Sequence, residues 1–272
     1  MKGLSRDRAL QSLRARIESI EKRPPLGNVG GTDLAATGLF ALPAAGAVHE
    51  VFADTQRDAG AALGFALAAS RGLLTPVRRA LLIVQLARDG RDLGVPYGVG
   101  IAGLGLDPEN VVFCRAETTV ELLWAVEEAI ACAVMGAVVV DLGHEVKALD
   151  FTASRRLSLR ATAGGGSVFV VRFGREREAT AARFRWRVSP VLSGAPPFDA
   201  RAPGPPRWMV ELEKGRLGSR RDASEWMVDW TENGFVRVDP KGRDRARPAA
   251  GAGSSLPGAH PAALGDRLSE AS

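Results

Sequence analysis

The residues of this chain that could do chemistry are arranged as a strand, a loop and a helix. The segment His49-Glu50-Val51-Phe52-Ala53 leads through Asp54-Thr55-Gln56-Arg57-Asp58-Ala59-Gly60-Ala61-Ala62 into the apolar stretch 63–69. A P-loop has this layout. Its glycines let backbone N–H groups cradle phosphates, its Lys reaches the β- and γ-phosphates, and its Ser or Thr holds magnesium. Here the Lys and Ser/Thr positions hold Ala59 and Gly60, or Ala61 and Ala62 if the loop carries an insertion. No Lys occurs between Lys22 and Lys147, so no shift of register restores the cation. Asp54 and Asp58 would repel a triphosphate. The reading is a degenerate nucleotide loop (Ala53, Asp54, Arg57, Asp58, Ala59, Gly60, Ala61, Ala62, with Asp141 further on): the layout of an ATPase without its catalysis.

Other reactive patterns fail on spacing. His49-Glu50 and His144-Glu145 both begin like a zinc-protease helix, but no second His comes at the required interval, and the remaining His260 is remote. There is no Gly-x-Ser-x-Gly elbow, and Cys114 and Cys132 lack a motif His nearby. Each cysteine sits in an apolar segment, which predicts reduced core thiols rather than a disulfide or a metal site. No metal site and no cofactor is expected. The five Trp (124, 186, 208, 226, 230) read as core residues, with base stacking as the alternative.

Periodicity supplies the elements that would position the loop. Apolar runs at 48–52, 79–86, 110–114, 136–141 and 167–172 read as buried strands, separated by helical segments at 60–74, 118–133 and 152–163. Near-continuous apolar strands alternating with helices indicate a mainly parallel central sheet covered on both faces. In the second helix Leu122, Leu123, Val126, Ile130 and Ala133 are expected to line one face. After residue 182 the pattern becomes period two. Phe184, Trp186 and Val188 alternate with Arg183, Arg185 and Arg187, and 207–214, 225–231 and 235–238 continue the alternation. Glu232-Asn233-Gly234 supplies a tight turn between the last two. These four strands predict an antiparallel extension of the sheet.

The ends differ from the body. Residues 5–22 place Leu10, Leu13, Ile17 and Ile20 at helical spacing, a narrow apolar stripe suited to docking on a neighbouring subunit or on the chain's own core. Arg23-Pro24-Pro25-Leu26-Gly27 separates this helix from the body of the chain. From 239 onward Gly, Pro, Ala, Arg and Ser predominate, which predicts a disordered tail. The expected organisation is therefore an N-terminal helix and linker over 1–27, a core domain over 28–238 and a tail over 239–272. With 272 residues, 46% hydrophobic and 25% charged, the chain can bury a sizeable core. No apolar run approaches the ~20 residues of a membrane span, and 1–22 lacks a signal-peptide core, so a cytoplasmic location is expected.

The net charge of +5 invites a nucleic-acid reading, but distribution matters more than total. Lys occurs only at 2, 22, 147, 214 and 241, so Arg carries most of the charge, as a GC-rich genome would also produce. Arginines concentrate at 155, 156, 160, 172, 175, 177, 183, 185 and 187. They form either solvated faces or a surface for phosphate or an acidic partner. The partner or DNA candidates are Arg155, Arg156, Arg160, Arg175, Arg177, Arg183, Arg185 and Arg187.

Taken in order, these segments resemble the RecA ATPase core. Residues 46–52 (GAVHEVF) resemble the strand entering its P-loop, 137–141 (AVVVD) its Walker B strand, and 152–173 its next helix and strand. Within that superfamily the chain is similar to the ImuA family. The resemblance rests on Pro96-Tyr97-Gly98-Val99-Gly100, Gly103-Leu104-Gly105-Leu106-Asp107-Pro108, Leu123-Trp124-Ala125-Val126-Glu127-Glu128-Ala129, 149–157 (LDFTASRRL), Arg185-Trp186-Arg187-Val188 and 206–212 (PRWMVEL). It spans about residues 5–238. It implies a RecA-like core and a non-catalytic accessory role in SOS-induced translesion synthesis. The partners it implies are an ImuB-like adaptor, an error-prone replicative-type polymerase and RecA itself, with self-association through 5–22 in the manner of RecA's N-terminal helix.

Departures from RecA bear on mechanism. RecA places a catalytic Glu just after the strand matching 81–86, where this chain reads Val84-Gln85-Leu86-Ala87-Arg88-Asp89. Asp89 is the only nearby acid, and Asp141 keeps the magnesium-associated position or serves as a turn residue. The connections 142–152 and 173–182 are too short to wrap a DNA strand as RecA's loops do. The alternatives to the accessory role are a weak ATPase remodelling RecA–DNA filaments, with Arg57 replacing the Lys, and a SulA-like inhibitor of cell division.

Overall fold

The structure is a computed structural model, described over residues 45–143, 149–196, 199, 201–215, 217 and 225–238. The amphipathic segment 5–22 and the tail 239–272 lie outside the described residues.

Nine described strands form one sheet. In chain order they are β1 (Val48–Ala53), β2 (Ala80–Leu86), β3 (Val111–Ala116), β4 (Met135–Gly143), β5 (Ser167–Phe173), β6 (Phe184–Pro190), β7 (Arg207–Lys214), β8 (Glu225–Thr231) and β9 (Gly234–Val238). Their spatial order is β3-β2-β4-β5-β1-β6-β7-β8-β9. From β3 to β6 every pairing is parallel; β6–β7, β7–β8 and β8–β9 are antiparallel. This corrects one expectation. The strand carrying Arg183, Arg185 and Arg187 is not antiparallel to the strand it joins but lies parallel beside β1. Residues 174–183 carry the chain back along β1, so that β5 and β6 flank it in the same direction. Only the last three strands form an antiparallel meander.

Helices cover the parallel half on both faces. On one face α1 (Ala59–Arg71) packs on β1, β4, β5 and β6. Its sequence, AGAALGFALAASR, has no charge before its last residue, and Ala62, Ala66 and Ala69 let it approach the sheet closely while Phe65 fills the space between. The short helices α2 (Ala87–Asp92) and α3 (Gly98–Gly103) come after β2. On the other face lie α4 (Thr119–Ala131) and α5 (Phe151–Gly164), side by side, with Leu122, Val126, Ile130, Leu157 and Ala161 buried. Two expectations fail here. Ala133 lies beyond the end of α4 and is exposed, and so is Cys132, which is not a core thiol; Cys114 is half-buried on β3.

Local sequence explains where the helices begin and end. The Thr118 hydroxyl accepts from the Glu121 N–H at 3.2 Å, and the Glu121 carboxylate accepts from the Thr118 N–H at 3.3 Å, a reciprocal capping box. Asp150 caps α5 by accepting from the Ala153 N–H, and α5 stops at Gly165, whose φ of 77° is the left-handed conformation glycine adopts freely. In the last hairpin Thr231 pairs with Gly234 across Glu232 and Asn233, as the sequence predicts. Among the described residues no helix is long and apolar enough to cross a membrane.

Replacing Thr118 by Ala leaves an orphan N–H at the start of α4 and is expected to destabilise the protein by about 1 kcal/mol, read as a lower urea midpoint with unchanged slope. An unchanged midpoint would show that this cap contributes nothing.

Candidate functional site

The loop after β1 joins strand to helix as a P-loop would, but it is tighter and carries the opposite charge. Between Ala53 and α1 the chain makes a single 3-10 turn over Gln56–Asp58, closed by the Asp58 N–H donating to the Thr55 carbonyl at 3.1 Å. The Thr55 hydroxyl donates to Asp58 Oδ2 at 2.8 Å. None of its residues adopts positive φ, so the turn lacks the alternating conformation that gathers N–H groups into an anion nest. Asp54 faces two guanidiniums, Arg177 at 3.3 Å and Arg187 at 3.4 Å. Glu213 holds Arg177 at 2.9 Å, and Glu211 pairs with Arg187, a hydrogen bond that raises the Arg187 pKa above its ordinary value. Arg57 and Gly60 are exposed, Ala59 and Ala61 half-buried, and Ala53 and Ala62 wholly buried.

One turn earlier on β1 lies the most heavily charged part of the interior. Glu50 is 0% exposed. It accepts from the Thr180 hydroxyl at 2.8 Å and from Arg185 Nε at 2.9 Å, and Arg172 Nη1 stands 3.9 Å from its other oxygen. Arg185 also donates to the Glu178 carbonyl at 2.6 Å, and Arg172 reaches the Glu178 carboxylate at 3.5 Å. The Phe52 ring is surrounded by the guanidiniums of Arg177, Arg172 and Arg185, 4.1, 5.3 and 5.6 Å from its centroid. The opposite face of β1 is aromatic. His49 stacks on Phe169 at 4.5 Å and Phe184 at 4.9 Å, and its Nδ1 accepts from Trp186 Nε1 at 3.2 Å, which assigns its proton to Nε2. Burial, assisted by Arg183, lowers its pKa from 6.5 to about 3.

Asp141 lies level with Val51, separated from it by β5. Gln85 Nε2 donates to it at 2.9 Å and to the Gly94 carbonyl at 3.1 Å. Burial raises the Asp141 pKa; the Gln85 hydrogen bond opposes this, and the Asp89 charge adds to it. The fold thus brings Asp89 towards Asp141, as the sequence left open. These residues do not fit a magnesium-bound nucleotide. The loop after β1 holds a carboxylate, Asp54, where the phosphates would need a cation, and Asp141 is already engaged by Gln85. A nearby groove of about 580 Å³ between α1, α3 and the β6–β7 connection is lined by Gly60, Gly64, Tyr97, Ile101, Leu192 and Trp208 among others. Among the described residues its one charged lining residue is Arg207, held by Asp229 at 2.7 Å.

The sequence-predicted arginine surface separates into parts. Arg156 pairs with Glu127, and Arg160 reaches the same carboxylate at 3.3 Å, tying α5 to α4. Arg177, Arg185 and Arg187 are engaged around β1. Arg155, Arg175 and Arg183 are exposed and make no ion pair among the described residues. The eight arginines therefore do not form one free basic patch. Glu50, Glu127, Gln85 and Thr180 were not selected from sequence. The one signal was Glu50 itself, an acid beside His49 in a strand whose other residues are apolar. Trp186, Trp208 and Trp230 are core, but Trp124 is 65% exposed and is corrected from that assignment.

The fold and site define a mixed α/β protein, with a large mostly parallel sheet and a nucleotide-loop layout that lacks phosphate-binding side chains. No family model matches the chain. Over 185 residues it is 36% identical to Protein ImuA of Caulobacter vibrioides (strain NA1000 / CB15N), covering 64% of this chain and 71% of that protein. The same figures hold for Protein ImuA of Caulobacter vibrioides strain ATCC 19089 / CIP 103742 / CB 15. The chain belongs to the ImuA family.

This geometry has two measurable consequences. Glu50→Ala leaves the half-buried Arg185 without its acid and the buried Arg172 with Glu178 alone, and is expected to destabilise by about 3 kcal/mol, partly recovered when both arginines become Met. Equal melting temperatures for wild type and Glu50→Ala would contradict this. For His49 the folded pKa is depressed, so its contribution is full above about pH 6.5 and is lost as pH falls towards 3. His49→Phe should therefore flatten the fall in melting temperature between pH 7 and pH 4, and parallel curves for the two proteins would refute this assignment.

Proposed function

We propose that this chain is a non-catalytic interaction protein of SOS-induced translesion synthesis and mutagenesis. It acts through an ImuB-like adaptor and an error-prone replicative-type polymerase, with RecA as a further partner. Membership of the ImuA family supports the setting. The observation that carries the non-catalytic reading is Asp54, tied to Arg177 and Arg187 where a P-loop would present cations to phosphate. The pairing of Arg156, Arg160, Arg177, Arg185 and Arg187 with acids of the same chain supports protein partners over direct phosphate binding. In this reading the stripe Leu10, Leu13, Ile17 and Ile20 is an assembly or partner helix.

Calorimetry with magnesium and ATP should show no saturable heat, and the melting temperature should not move. Co-expression with the adaptor and polymerase should yield a complex, and single-stranded DNA should bind weakly. A stoichiometric ATP site with turnover would replace this reading by the ATPase one. Failure of the adaptor to co-purify under native conditions would remove the mutagenesis assignment.

A further inference from the structure

The helix α1 has the composition of a helix covered on every side. It carries no charge before Arg71, yet the sheet covers only one of its faces. A helix that is apolar all round is normally enclosed. Away from the sheet Gly60 is exposed, and Ala61, Leu63 and Gly64 are half-buried. A Cβ at Gly60 would meet nothing within 4 Å, and one at Gly64 would meet the Trp208 ring at 3.6 Å, so this backbone is open to the close approach of another helix.

This face is the floor of two adjoining hollows. The groove of about 580 Å³ between α1, α3 and the β6–β7 connection shares Leu104, Pro205 and Pro206 with a second of about 660 Å³, lined by Arg71 and Trp230. Together they follow α1 from Gly60 to Arg71, roughly 16 Å along the helix axis. Tyr97 on one lip is 73% exposed and Leu192 on the other 91%. Pro190, Pro205 and Pro206 leave the second wall without their N–H groups to offer a polar ligand. Arg71 is committed to the Gly105 and Glu232 carbonyls, at 3.2 and 2.9 Å, as Arg207 is to Asp229. The groove therefore suits a row of aliphatic side chains rather than an ion.

The chain itself supplies such a row. In a helix over 5–22, Leu10, Leu13, Ile17 and Ile20 form one stripe whose ends lie roughly 15 Å apart. The described chain begins at the amino end of β1, where the Gly46 N–H donates to Ser167 Oγ at 3.0 Å. The groove opens at the other end of that strand, beside the first turns of α1. That strand is about 20 Å long, and residues 23–44 reach roughly 70 Å when extended. A tether of this kind holds the stripe at a local concentration on the order of millimolar, well above that of a second copy in dilute solution.

We propose that residues 5–22 dock in cis as a helix in this groove, their stripe against α1 between Tyr97 and Leu192, and that a partner must displace them to engage the stripe. This inference rests on the reading of the stripe as a partner helix and adds where it is held before a partner arrives.

The test uses the full chain with Cys114 and Cys132 replaced by Ser and a cysteine pair introduced by Leu13→Cys and Leu192→Cys. Leu192 is exposed, so the protein should melt like its parent. Mild oxidation should give a cross-linked monomer, a faster band on a non-reducing gel. Adding Leu10→Glu with Ile17→Glu should lower its yield at least about fivefold. The oxidised chain should retain at least about fivefold less adaptor than the same chain after reduction. No cross-linked monomer, or a yield unchanged by the two glutamates, would overturn the proposal, and a disulfide-linked dimer would overturn it in favour of a second copy. Equal adaptor retention in both redox states would overturn the displacement. Adaptor retained by a chain that never cross-links would remove this groove and leave the mutagenesis reading standing. A cross-link with no adaptor in either state would remove that reading and leave the docking.

Discussion

A carboxylate buried at the centre of the sheet is the constraint on which the rest of this structure depends. Glu50 sits on the middle strand with no exposed surface, and an isolated ion there would be prohibitively unstable. The flanking strands neutralise it. Arg185 of β6 lies in register with Glu50, and Arg172 of β5 lies in register with the next same-face residue, Phe52. Both flanking strands therefore bring a guanidinium to the same carboxylate, and the connection 174–183 returns the chain so that β6 lies parallel to β1. Glu178 and Thr180 in that connection complete the network, so the path of 174–183 is set by the same ion.

The network then determines the character of the adjoining loop. Arg177, packed on Phe52, and Arg187, next along β6, both reach Asp54. The loop is consequently a point where three segments are tied together by charge, and its own dipoles have no concave arrangement to offer an anion. A phosphate arriving there would have to displace a carboxylate already held by two guanidiniums. Among the described residues, Arg156, Arg160, Arg172, Arg177, Arg185 and Arg187 are engaged in ion pairs around β1 or along the α4–α5 seam, while Arg155, Arg175 and Arg183 are exposed without one.

Against this polar face stands an aromatic one. His49, Phe169, Phe184 and Trp186 stack beneath α1, with Phe65, Trp208 and Phe235 continuing the packing towards the meander. The two faces of one strand therefore have opposite chemistry, alternating residue by residue as the pleat requires. This double anchoring holds the centre of the sheet. The edge at β3 has neither, and its apolar side chains are left facing outward.

Much of the architecture was legible in the residues themselves. Strands and helices of the parallel half arise from runs and periods of apolar residues, because burial on two faces demands continuous apolar sequence. The run at 110–114, read the same way as a buried strand, is corrected, since as the edge strand β3 it leaves Val112 and Phe113 exposed. The caps at Thr118 and Asp150 and the Glu232-Asn233 turn arise from local hydrogen bonding. The missing Lys and Ser/Thr are likewise visible without coordinates, since no fold can supply a side chain that is absent. Tertiary structure alone decided the direction of β6, the exposure of Trp124, the burial of Glu50 and the partner of each arginine. These are long-range facts: Arg185 finds Glu50 across 135 positions of sequence. Charge is non-directional along the chain, so composition counts the arginines, and only the register of neighbouring strands determines which acids neutralise them.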